Sequence, residues 1–457
     1  MTEFKLDQLP QKNFAQIIAV ISASISAFAS GTLWAFASPA IPKLISEYGF
    51  TIEEVSYIAV IGPASLVIST PIFCKLADKI GRKYTLFSAG IIYVAAWLSV
   101  AFASNIWVFY LSRVLYGVGD ASVYAILPAY IAEITSARMR NLYGNTLMIF
   151  SFHGQFFSNC IGYYFSIPTT GFIMLTFPIL YLICFSFMPD TPYFLIMAKN
   201  TDGARKSLQK LRGIDNVDLE LKQITQDVNR QLSESVTFKD LWTINSNRKA
   251  LFIALFSRIA YQLSGFIPLV AYSQYVFQEA GGVVPNGVAS MIVSGIICVG
   301  IIFANLISDQ LGRKKSMIIS CSGCGIALLG ESIYFYLQKY ELVDLTSISW
   351  FPVAALVLYA LAFCVGLGIV PTLIAGEIFS TSIRKHATSV TNVVFGIFST
   401  TFAEVFQLLM TAYGLWAPFL FFSICLLVNA FAAYFIIIET KGKTLEDIQQ
   451  MLKRNKK

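Results

Sequence analysis

The residues able to do chemistry in this 457-residue chain are charged, few and repeated. Asp78, Gly81, Arg82 and Lys83 make up DKIGRK, and Asp309, Gly312, Arg313 and Lys314 make up DQLGRK. Glu133 precedes Arg140 by seven residues in PAYIAEITSARMR, as Glu377 precedes Arg384 in PTLIAGEIFSTSIR. A third pair follows in the same order, PDTPYFL from Pro189 and ETKGKTL from Glu439. Carboxylates and guanidiniums in such sets form charge-assisted hydrogen bonds. A Glu and an Arg seven apart lie about two helical turns from each other, so each is better placed to reach a neighbouring helix. Bridges of this kind can hold two bundles closed on one side and break when that side opens. A single D-x-x-G-R-K turn would read as a topology marker and a tight reversal that needs glycine; three matched pairs in matched order favour a gate. Bond-making chemistry has little to work with: His153 and His386 are the only histidines, and no nucleophile–base arrangement or metal-ligand spacing stands out. No enzyme, cofactor or metal is therefore expected.

Composition identifies the elements that must carry these charges. Hydrophobic residues make up 56% of the chain and charged ones 13%, and the apolar runs are about twenty residues long, the thickness of a bilayer. Apolar segments fall near 14–38, 53–74, 84–104, 106–131, 142–165, 170–188, 250–277, 287–308, 316–337, 348–375, 388–412 and 416–438. The pattern is six, a gap, then six. An all-α polytopic membrane protein of twelve transmembrane helices is predicted, as a bundle at 1–188, a linker at 189–249, a second bundle at 250–440 and a tail at 441–457. Leu221, Ile224, Val228 and Leu232 recur at helical spacing in the linker, which suggests short amphipathic helices at the membrane surface. The first segment is too long for a cleaved leader and should remain as a span. The eight cysteines lie in or at the ends of apolar runs as small core residues, and Cys321 and Cys324 lack the polar surroundings of a redox or zinc site.

Orientation follows from the basic residues. With the N-terminus in the cytosol, only Lys43 and Lys339 fall outside and Arg113 and Arg258 within spans, so 33 − 4 = 29 of the Lys and Arg face the cytosol. The formal charge of +7 then means orientation and contact with anionic lipid, and no nucleic-acid partner is implied. No obligatory protein partner is evident.

The repeated motifs resemble the sugar porter family of the major facilitator superfamily, from about Trp34 to Ile448. Its G-x-x-x-D-[RK]-x-G-R-[RK] is present with Cys74 for the first glycine, its R-x-x-x-G-x-G as Arg113, Gly117 and Gly119, and its P-x-Y-x-A-E as Pro128, Tyr130 and Glu133. PDTP stands for its PES/PETP ending, and ETKGKTLEDI, with Ile438 for proline, for PETKGKTLEEI. Within the family, PDTPYFLIM followed by ARKSLQKLRG is most similar to insect facilitated trehalose transporters. The resemblance implies the superfamily fold, alternating access about a central midplane site, and facilitated movement of a small solute across a plasma or vesicle membrane. It also implies uniport, because proton-coupled members place a carboxylate in the first span and none occurs from Phe14 to Ser38.

Laid onto this chain, the family's sugar ligands are mostly replaced. Met148 stands for the glutamine of the fifth span; Tyr261, Gln262 and Ile267 stand for the QQ-x-x-G-x-N of the seventh, with Tyr272 kept five residues on. Thr372 takes the tryptophan's place in the tenth span, and Phe395 and Gly396 the asparagine–tryptophan pair of the eleventh. Gln262 is the one amide retained there and is the expected anchor. Buried hydroxyls without partners lose about 1–3 kcal/mol each, so other residues must substitute or the solute differs. Trp34, Asp120, His153, Gln155, Asn159, Gln262, Ser264, Asn392, Glu404 and Gln407 lie inside spans as possible substitutes, although for any uncharged one an inter-helix hydrogen bond is the simpler role. Asp120 is the exception, since an acid at that depth costs about 2.5–3.5 kcal/mol and should face a cavity or an arginine such as Arg258. A sugar of trehalose or hexose type is the expected solute. A less polar metabolite and a non-transporting nutrient receptor remain open.

Overall fold

The computed structural model describes residues 14–136, 139, 143–233, 238–379, 381–443 and 445–453. Among the described residues, eleven helices are long and apolar enough to cross a membrane. The remaining predicted span, Thr146–Tyr164, is a 19-residue helix whose apolarity is diluted by His153, Gln155 and Asn159. It packs against the first span and against Asn286–Leu311, so its polar side chains meet protein instead of lipid. With it, twelve spans stand as two bundles of six.

Three spans are discontinuous, and the sequence explains each break. The first runs Phe14–Ala35, pauses at Phe36 and resumes as Ala37–Ser46 with Pro39 and Pro42. The seventh runs Asn245–Gln262 and restarts as Phe266–Ala280 after Gly265, whose φ of 70° is left-handed. Ser264 satisfies the opened backbone: its hydroxyl donates to the Tyr261 carbonyl at 2.6 Å and accepts from the Phe266 N–H at 3.2 Å. The tenth runs Phe351–Val365, then Val370–Glu377, with Gly366 and Gly368 between, and Leu367 N–H donates to Ser320 Oγ at 2.9 Å.

Among the described residues, three pairs of spans carry most of the contact between the halves. The first and seventh join through Trp34 and Phe266, with ring centroids 5.6 Å apart. Gly396 of the eleventh lies against Leu66 and Val67 of the second, and Gly287 and Gly295 of the eighth against Tyr163 and Phe156 of the fifth. Away from the D-x-x-G-R-K turns, Ala37–Ser46 packs on Phe266–Ala280.

The linker contains Pro192–Met197, Thr201–Arg212, Asp218–Ser233 and Asp240–Thr243. Leu221, Ile224 and Val228 pack with Ala204 and Leu208 in a small core of their own; the side chain of Leu232 lies outside the described residues. Arg212 fastens this unit to the first bundle, donating to the Ile134 carbonyl at 2.9 Å while bridging Glu220 at 2.6 Å.

Candidate functional site

The broken helices converge on a cavity between the halves. Six of the eight residues laid onto sugar-ligand positions line it, Met148, Tyr261, Ile267, Thr372, Phe395 and Gly396, and Trp34, offered as a substitute, lines it as well. Asp120 and Arg258 line it too, one from each half, with Tyr116, Tyr124, Phe152 and Leu367. The aromatic, proline and leucine lining had no signal in the motifs, although the glycine-flanked GIVPT segment marks where the tenth span opens.

Gln262 and Tyr272 are not among the lining residues. The Gln262 amide nitrogen donates to the Phe395 carbonyl at 2.9 Å, tying the seventh span to the eleventh. Tyr272 is fully buried and stacks on Phe406, ring centroids 5.3 Å apart. The physical cause is helical phase within each half-helix: Gln262 points about 100° away from its neighbour Tyr261, and Tyr272 about 140° away from Ile267, so with Tyr261 and Ile267 on the cavity the other two turn into helix contacts.

Asp120 is buried and accepts a 2.6 Å hydrogen bond from the Tyr93 hydroxyl. None of the described ion pairs joins it to Arg258. The Arg258 guanidinium lies over the Phe395 ring at 5.6 Å, and its Nε has no acceptor. Gln155 and Asn159 sit in a second space with Ser273, Ser290, Ser294 and Tyr359. His153 Nδ1 contacts its own helix at the Ile149 carbonyl, 2.7 Å away, and Ser264 serves the helix break. Asn392 and Glu404 are half-buried, and Gln407 is buried with an unpartnered Oε1.

The repeated charges form two matching clusters at the turn end. In the first half, Arg82 donates to Glu133 at 3.2 Å and lies 3.9 Å from Asp78, while Thr191 donates to Glu133. In the second, Arg313 reaches Glu377 at 2.8 Å and Asp309 at 2.7 Å, while Thr440 donates to Glu377 at 2.6 Å. Asp190 accepts from the Lys83 N–H at 3.2 Å, and Glu439 from the Arg313 and Lys314 N–H groups at 3.0 and 3.3 Å. A Cβ on Gly81 would collide with the Asp190 carboxylate and one on Gly312 with that of Glu439, so these glycines, with φ of 95° and 85°, admit the acid as well as the turn. Each of these described pairs lies within one half, binding that bundle internally. Arg384 donates to the Phe379 carbonyl at 3.2 Å, and Arg140 lies outside the described residues.

The third matched pair differs in titration. Burial raises the Asp190 carboxyl above its ordinary value, outweighing the Thr191 and Lys83 N–H bonds. Burial works the same way on Glu439, but N–H bonds from Lys441, Arg313 and Lys314 prevail and hold its carboxyl below the ordinary value.

Comparison with known proteins agrees with this geometry. The family model described as "Sugar (and other) transporter" matches residues 27–452. The chain is 31% identical over 453 residues to the facilitated trehalose transporter Tret1 of Polypedilum vanderplanki, covering 96% of this chain and 88% of the relative. Against the protein of that name from Culex quinquefasciatus it is 30% identical, covering 96% and 86%. A partially occluded inward-open structure of the xylose transporter XylE from E. coli superposes with a TM-score of 0.78 at 17% identity, covering 94% of this chain and 99% of that one. XylE bound to 6-bromo-6-deoxy-D-glucose gives 0.76 at 17% identity, covering 96% and 99%. The two six-helix bundles are thus those of the major facilitator superfamily, and the chain belongs to the sugar (and other) transporter family, a carrier across membranes and not an enzyme.

Proposed function

We propose that this protein is a facilitative carrier of a sugar of the trehalose or hexose class, working by alternating access. The observation that carries the reading is the cavity between the halves, built from the breaks of the first, seventh and tenth spans. Discontinuous helices at a repeat interface are where carriers of this kind place their solute. Trehalose enters the reading through the Tret1 relatives. Packing of Ala37–Ser46 on Phe266–Ala280, away from the turns, supports an inward-facing arrangement in which the cavity communicates with the turn side.

The charge excess on the turn side supports a cytosolic location for both termini and the linker. A plasma-membrane location follows the same reading. The charge clusters act as fasteners that let each bundle rock as a unit, and the gate is the sliding contact between Gly396 and the second span. Labelled trehalose and glucose should enter proteoliposomes containing the purified protein and show counterflow against preloaded unlabelled sugar. Absence of uptake for every mono- and disaccharide tried would refute the proposal and leave a receptor-like relative.

A further inference from the structure

We infer that Arg258 is a specificity-determining residue and that the central cavity takes sugar-sized solutes bearing a carboxylate in preference to their neutral counterparts. This rests on the carrier reading above and concerns the solute class alone. An arginine stays charged wherever it is placed, and one inside a span calls for a counter-group. Arg258 sits four residues before the end of the half-helix Asn245–Gln262 and faces the cavity, with its Nε lacking an acceptor and only the Phe395 ring face beneath it. None of the described ion pairs includes it.

The acid in the opposite half does not meet this need. Asp120 already receives the Tyr93 hydroxyl. Arg113, two turns earlier on the Asp120 helix, donates to the Leu33 carbonyl at 2.7 Å and stands over Phe36 and Tyr116, its Nε and Nη2 without acceptors. Of the residues lining the cavity, Arg258 is the cation and Asp120, already held by Tyr93, the carboxylate; Arg113 stands behind the lining on the Asp120 helix and adds positive charge nearby. The walls supplied by Met148, Ile267 and Phe395 offer few groups to sugar hydroxyls. A carboxylate matches the planar fork of Arg258 bidentately. One such contact gives affinity that neutral hydroxyls cannot recover from apolar walls.

The test is binding and uptake of glucose, trehalose and glucuronate by wild-type protein in proteoliposomes, at pH 7 and without membrane potential. Wild type should bind glucuronate at least about tenfold more tightly than glucose, and Arg258→Gln should bring that ratio near one, with Arg258→Lys in between. Neutral-sugar uptake without preference for the acid overturns this inference and leaves the carrier reading standing; uptake of none of the three solutes overturns both. Equal weakening of acid and neutral sugar in Arg258→Gln assigns Arg258 to closure against Asp120 and also overturns the inference. If Arg258→Gln does not fold, the wild-type ratio and Arg258→Lys decide alone.

Discussion

Replacing Glu377 by glutamine keeps its shape and removes its charge, which isolates the second-half cluster. In the native protein Glu377 accepts from Arg313 Nη2 at 2.8 Å, from Arg313 Nε at 3.3 Å and from Thr440 at 2.6 Å. An amide can accept on one oxygen only, so at least one of these donors must face an NH₂ group. Breaking a buried pair outright costs about 3–5 kcal/mol. Here Arg313 keeps Asp309 at 2.7 Å and the Ser308 carbonyl at 3.3 Å, and the Glu377 side chain is 30% exposed. Loss of a bidentate charge-assisted contact under those conditions is worth about 2 kcal/mol, or roughly 30-fold in an equilibrium constant. Because the cluster closes within one half, that loss should weaken the fold in both orientations of the cavity. Purified Glu377→Gln should melt at a lower temperature and show little change in labelling of single cysteines placed on the turn side between the halves. A strong shift in labelling at unchanged melting temperature would refute the reasoning, since it would mean that Glu377 holds the halves to each other.

Gln262→Leu should lower stability by about 1 kcal/mol, because the Phe395 carbonyl is mid-helix and keeps its helical bond, while leaving the order of solute affinities unchanged; parallel melting and binding curves would expose a changed order. Glu439 has a depressed carboxyl, so its contribution to stability is present above the ordinary carboxylate value and is lost as pH falls through the folded one. Melting of Glu439→Gln should therefore depend less on acidification than that of wild type. The raised carboxyl of Asp190 acts oppositely, opposing folding while ionised and adding stability as it protonates, so melting of Asp190→Asn should fall more steeply on acidification than that of wild type. Sugar uptake should survive dissipation of a pH gradient, since Phe14–Ser38 contains no carboxylate; uptake that collapses in wild type and is insensitive in Asp120→Asn would identify Asp120 as a proton carrier.

The spans and the duplication were legible in the sequence because apolar length and matched motifs are local properties. Ile106–Ile134 and Trp416–Ile436 end within a few residues of the predicted segments. The clusters were partly legible: DKIGRK and DQLGRK named Arg82 and Arg313, but nothing in PDTP or ETKG announced that Thr191 and Thr440 would donate to Glu133 and Glu377. The cavity was the least legible part. Tyr261 and Gln262 are adjacent on one helix and so point about 100° apart, and which of the two meets the cavity depends on packing against the eleventh span, which the motif does not report. Tyr116, Tyr124 and Leu367 reach the cavity through packing between spans distant in sequence, which periodicity cannot report.

The two lysines that stand apart from the basic cluster on the turn side have an explanation in where they end up. Lys43 donates to the Gly162, Tyr163 and Phe165 carbonyls at 2.7, 3.2 and 2.5 Å, and Lys339 to the Tyr413 carbonyl at 2.6 Å. Those carbonyls close Thr146–Tyr164 and Thr381–Tyr413, the fifth and eleventh spans, which are counterparts in the duplicated halves. A helix that ends at a bilayer surface leaves its final carbonyls without partners and its negative dipole end exposed. In the orientation proposed above, with the turn side in the cytosol, each of these cations crosses the membrane during insertion, against the charge rule. On arrival each becomes the stopper of a helix, so a burden on assembly turns into a fixture of the finished fold, and the same solution was reached in both halves from lysines on different spans.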